Sequence, residues 1–113
     1  MDRMTQYRSI LKDLSQEYAR LYNLNPPAGV ETWLVVDETH DQFLLLTSGW
    51  SKGRRVRRIP LHVRLHGEKI WVEEDWTEEG IATALLRAGV PHDHIVLAFH
   101  PPDKRPLTEF AVA

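Results

Sequence analysis

GEKIWVEEDWTEEGIATALLRAGVPHDHIVLAFHPP, residues 67–102, is the stretch whose reading decides the fold. Over 69–74, Ile70 and Val72 alternate with Trp71 and Glu73, the period of a strand with one face covered. A helix over 78–88 follows. Thr77 is an N-cap type of residue, and Glu78 and Glu79 place carboxylates in the first turn, at the positive end of the helix dipole. Ile81, Leu85 and Leu86, with Ala82 and Ala88 between them, form its apolar stripe; Gly89 offers a left-handed cap and Pro91 prevents continuation. IVLAF, residues 95–99, has no polar alternation and reads as a strand covered on both faces, with the helix lying on its sheet.

Working outward, Leu61, Val63 and Leu65 alternate with His62, Arg64 and His66. A turn centred on His66-Gly67 pairs Val63 with Ile70 and Leu61 with Val72, which puts every apolar residue on one face. The same register sets Arg58 opposite Asp75 and Ile59 opposite Glu74, with Pro60 at an edge or a bulge. Further upstream, TWLVV (32–36) and QFLLL (42–46) flank the polar loop DETHD as a second hairpin. Both runs are apolar on both faces. If helices take one face, the other is covered by a second protein chain or by the chain's own loops and N-terminal helix.

That helix is the strongest periodic signal. Met4, Tyr7, Leu11, Leu14, Tyr18 and Leu21 recur at spacings of three and four, predicting a helix over 3–22, with Ile10 and Tyr22 widening the stripe. The stripe suits packing on the chain's own sheet or a coiled-coil seam between subunits, for which about three heptads is short. Asn23, Asn25, Pro26, Pro27 and Gly29 then break the helix. A last strand over 108–112 ties the C-terminus into the sheet, so that its loss unfolds the domain. The expected fold class is α+β: an N-terminal helix and a second short helix packed on a mainly antiparallel five- or six-stranded sheet, in one domain over 1–113.

Composition limits the chemistry. The 113 residues include no cysteine, which excludes disulfides, thiol catalysis and Cys-based zinc sites. No apolar run approaches the roughly 20 residues of a membrane helix, and the start lacks a positive-then-apolar leader. A cytoplasmic protein with no membrane partner is expected. A net charge of -2 gives no global attraction to nucleic acid, so DNA contact would need a local patch.

Lys52, Arg54, Arg55, Arg57 and Arg58 form such a patch, suited to phosphates or to the acidic surface of a partner protein. The hairpin register brings Glu73, Glu74 and Asp75 back towards Arg57 and Arg58, neutralising part of it. Trp50 and Trp76, near strand ends, are candidate interface aromatics, whereas Trp33 and Trp71 lie within strands and read as core. His92 and His94 with His100 resemble a zinc pattern only weakly, since the pair adjoins a helix-stopping proline where polar residues cap turns. His62 and His66 share the outward face of their hairpin. No Gly-x-Ser-x-Gly elbow, phosphate loop or dinucleotide fingerprint is present, and Glu68-Lys69 is only a fragment of a nuclease signature. Neither catalytic residues nor a cofactor or metal site is assigned.

Several segments together carry a resemblance: GEKIW, TEEGIA, AGVP with Asp93 soon after it, IVLAFHPP and the FAVA ending, joined by MDRMTQYRSILKDLSQEYA and DQFLLLTSGW. In order and spacing the chain resembles the XisI family of cyanobacterial proteins, controlling factors of fdxN-element excision, over nearly its whole length. The resemblance implies an accessory role in programmed site-specific excision of a DNA element. In that family the recombinase is a separate protein, and a companion, XisH, resembles restriction-type endonucleases. The expectation is a non-catalytic module that binds an XisH-like companion, with DNA reached indirectly and homo-oligomers as a further form of association. A direct DNA-binding regulator acting through residues 52–58 is the first alternative, and a metal-dependent enzyme the second.

Overall fold

The computed structural model describes residues 2–113. Asp2 starts the first element: its carboxylate accepts the Thr5 N–H at 2.9 Å and caps helix α1 (Arg3–Tyr22). Tyr7, Leu11 and Ser15 are its buried line, with Met4, Leu14 and Tyr18 partly covered, while Leu21 is exposed. The stripe packs on the chain's own sheet, against its first three strands. Ser15 sits in that line although its hydroxyl has no hydrogen-bond partner.

Four strands follow as an antiparallel meander: β1 (Val30–Asp37), β2 (Gln42–Ser51), β3 (Arg54–His66) and β4 (Lys69–Asp75). The crossover through helix α2 (Ile81–Arg87) returns β5 (Ile95–Leu97) parallel to β4, so the sheet is mixed, in the order β1-β2-β3-β4-β5. Both helices lie on one face. Leu11, Leu45, Leu61, Val63, Ile70, Val72, Ile81, Leu85 and Ile95 are fully buried between the layers. The α+β class therefore holds, with five strands.

Four details differ from the expectations. The β3–β4 turn lies one residue later: His66 pairs with Lys69 across Gly67 and Glu68, whose φ values of 57° and 61° make the loop whose twist matches the strands. Val63 therefore faces Val72, and Leu65 faces Ile70. An even shift keeps the apolar set on the core face. A bulge after His62 then sets Leu61 against Asp75, while Arg58 pairs with Thr47 of β2 instead.

Helix α2 begins at Ile81, not Glu78, and Thr77 is not its N-cap. Asp75 does that work from the end of β4, accepting Ile81 N–H at 2.8 Å through one oxygen and Thr77 N–H at 2.9 Å through the other. Glu78 and Glu79 stand outside the helix, where Glu79 pairs with Arg87. The C-terminus of α2 is as expected: Val90 N–H reaches Leu85 C=O and Gly89 N–H reaches Leu86 C=O, with Gly89 at φ 96°.

The strand expected over 95–99 stops at Leu97, and the chain turns at Ala98 to His100. No strand forms over 108–112 either; Ala111 makes a single parallel bridge to Val96, its N–H donating to Ile95 C=O at 2.8 Å. Within the C-terminal segment Arg105 donates to the carbonyls of His100, Ala98 and Val112, and its guanidinium lies against Trp71 of β4.

Candidate functional site

Lys52, Arg54 and Arg55 stand on a free β-ribbon, with Arg57 and Arg58 at its base, where β1 flanks β2. Pairing of β3 with β4 begins only at Leu61, and pairing of β1 with β2 ends at Gly49, so over 50–55 the β2–β3 hairpin is two strands alone. Lys52 and Gly53 close it in a two-residue turn at φ 51° and 74°. Cross-strand partners fix the faces. Arg55 lies opposite Trp50 and Arg57 opposite Ser48 on the face away from the helices; Arg54 and Arg58 lie opposite Ser51 and Thr47 on the other. All four arginines and Lys52 are exposed, and among the described residues none joins an ion pair. The expected neutralisation is thus largely diverted. Glu73 pairs with Arg64 at 2.8 Å, and Asp75 is engaged in capping, although Glu73 and Glu74 do share a hollow with Arg57 and Arg58.

Trp50 is 60% exposed, with the Arg55 guanidinium 5.7 Å from its ring centre. Trp76, 74% exposed, lies elsewhere: it lines a groove at the end of α1 with Tyr18 and Tyr22, continuing past Ile59 and Pro60 to Arg58. Burial, above all, raises the Tyr18 and Tyr22 phenols above their ordinary pKa, and Arg58 opposes this at Tyr22. The two candidate aromatics do not form one site.

The second layer of interest is the sheet face opposite the helices. On it Trp33 pairs with Leu46, and Val35 with Leu44. Trp33 is 44% and Val35 43% exposed, so Trp33 is not core and the chain's own loops do not cover this half. The other half is covered: Trp71 lies between the guanidinium groups of Arg64 and Arg105, 5.0 and 5.5 Å from its ring centre. Trp71 is therefore held by cations on the outer face and is not part of the core between the layers. The sequence, apolar on both faces over 32–36 and 42–46, carried no sign of which face or which half is open.

The histidines are engaged locally. His94 Nδ1 hydrogen-bonds the Tyr7 hydroxyl at 2.6 Å, which orients it towards α1 and not towards His92. Among the described residues no three His, Asp or Glu side chains are placed to hold a metal ion. His62 Nε2 hydrogen-bonds Gln42 Oε1 at 2.6 Å between the open and covered halves of the outer face. Burial pushes its pKa below the ordinary value; Glu73 and Glu74 raise it and Arg64 lowers it. The native state thus holds this imidazole neutral where the unfolded chain would protonate it. Its contribution to stability is full above about pH 6.5 and is lost as pH falls. Melting curves from pH 7.5 to 5.5 should show a steeper loss for the wild type than for His62→Gln. Parallel curves would contradict this.

Two helices on one face of a five-stranded mixed sheet, with half of the opposite face left apolar and open, define a two-layer α+β protein whose prominent features are surfaces. The comparisons with known proteins agree: the family model described as XisI protein matches residues 1–112, and the chain belongs to the XisI family. It is similar to the crystal structure of fdxN element excision controlling factor XisI from Anabaena variabilis ATCC 29413, at 41% identity and TM-score 0.87, over 99% of this chain and 100% of that one. It is also similar to a XisI-like protein from the same organism, at 29% identity and TM-score 0.89, over 96% and 98% of the two chains. No curated protein matches it.

Proposed function

We propose that this chain is a non-catalytic controlling factor of site-specific excision of a DNA element, and that it acts by binding an XisH-like nuclease companion. The observation that carries the reading is the open half of the outer sheet face, where Trp33, Val35, Leu44 and Leu46 adjoin across β1 and β2. A contiguous apolar patch on a sheet is costly to leave in water, and aromatic anchors of this kind concentrate binding energy. The name of the 41%-identical relative supplies the process.

The test is co-purification of the chain with its tagged companion, beside the double variant Trp33→Ser/Val35→Ser. The wild type should be retained, and the variant should bind at least about 30-fold more weakly, since removing one buried aromatic anchor costs about 2 kcal/mol or more. Equal retention of variant and wild type would overturn this use of the face. A second copy of the chain seated on the face is the competing outcome, visible as a homodimer that the same substitutions dissolve.

A further inference from the structure

We infer that the β2–β3 ribbon is a DNA-binding arm that enters the major groove of a duplex. This goes beyond the companion-binding role, because it uses a different surface and a different ligand. Three observations combine. Over 50–55 the ribbon is two strands with no third strand beside it. Lys52 stands at its tip and Arg54 and Arg55 on its opposite faces, while Arg57 and Arg58 continue those two faces at its base, where β1 flanks β2. Among the described residues, none of the five joins an ion pair.

A flat acidic protein surface would engage one face of such a ribbon and leave the other cationic face in water. A B-form major groove, about 12 Å wide, admits a two-stranded ribbon and presents a phosphate wall to each side of it. That geometry meets Arg54 and Arg55 at once, with Arg57 and Arg58 at the ribbon's base beside the mouth of the groove. The contacts are to phosphates, so binding needs little sequence preference and depends strongly on salt. The overall charge of -2 does not oppose this, since the cations are gathered on a projecting element and not spread over the surface.

The experiment measures affinity of the isolated full chain for a random 24-base-pair DNA duplex between 50 and 200 mM salt. Five neutralised phosphates predict about a 500-fold loss of affinity across that range. Arg55→Gln/Arg57→Gln and Arg54→Gln/Arg58→Gln should each reduce the loss to about 40-fold, because each removes two contacts. Replacing all four arginines with lysine should restore the wild-type salt dependence and excludes misfolding as the cause. Duplex RNA, whose major groove is deep and narrow, should bind at least about 10-fold more weakly than DNA. Several results would overturn the inference: no salt-dependent DNA binding, an effect of one arginine pair only, RNA bound as well as DNA, or poly-glutamate bound as tightly as the duplex. None of these depends on the companion, so the two proposals fail separately.

Discussion

Gly49→Ala should destabilise the protein by about 3 kcal/mol or more, lowering its melting temperature by about 10 °C. A Cβ at this position would sit 1.9 Å from the Gly29 carbonyl oxygen and 2.9 Å from Val30 Cα, both backbone atoms that no side-chain rotation can move aside. Gly49 is also at φ 150°, and Gly29, across the same contact, is at φ 84°. The two glycines let the chain leaving α1 cross the end of β2 closely enough for Trp50 N–H to donate to Gly29 C=O at 3.1 Å. The substitution forces that crossing apart at the root of the arginine ribbon. Thermal unfolding of Gly49→Ala beside the neighbouring, half-buried control Ser48→Ala measures the effect; a change of under about 1 kcal/mol would show that the crossing is not tightly determined.

The second large effect is expected at Arg105. Its guanidinium donates to His100 C=O at 3.1 Å, Val112 C=O at 3.3 Å and Ala98 C=O at 3.4 Å, and it covers one side of the Trp71 ring. Arg105→Ala removes the charged donor from three carbonyls and the cation from the ring together, for a loss of about 3 kcal/mol. Arg105→Lys should recover little of it, because a single ammonium cannot reproduce the planar fork. Limited proteolysis should then cut first within 100–113, before global unfolding. If the variant melts within about 0.5 kcal/mol of wild type and its C-terminal segment stays protected, Arg105 is not the anchor.

These two positions show where sequence reading runs out. The α1 stripe was legible because Tyr7, Leu11 and Leu14 repeat with the helix period, and the β3–β4 hairpin because Leu61, Val63 and Leu65 alternate with polar residues. Periodicity is a local signal, and those elements are built from local spacing. The hairpin turn was misplaced by one residue because both turns keep the same apolar residues on the core face. Gly49 acts through the backbone of Gly29 and Val30, and Arg105 through loop carbonyls five and seven residues away, which leaves no side-chain pattern to read. Asp75 is a similar case: it caps a helix six residues ahead, past Thr77, which has the local credentials for the task.

For the candidate sites, the basic cluster and the two exposed tryptophans were legible from composition near strand ends, and the structure places all seven residues on the surface. Their grouping was not legible. Separating Trp50 from Trp76, and Arg54 with Arg58 from Arg55 with Arg57, requires the strand register and the bulge between Leu45 and Thr47. Likewise, Trp33 and Trp71 both read as core from their place within strands, yet both lie on the outer face, where Trp71 meets Arg105 and Trp33 is left open.

The most direct test of the controlling-factor account is the mass in solution, by light scattering, of this chain co-expressed with an XisH-like companion. The account predicts one stable species whose mass is the sum of both proteins in a fixed ratio, and its dissociation by Trp33→Ser/Val35→Ser. Two proteins that elute separately, each at its own mass, would contradict it.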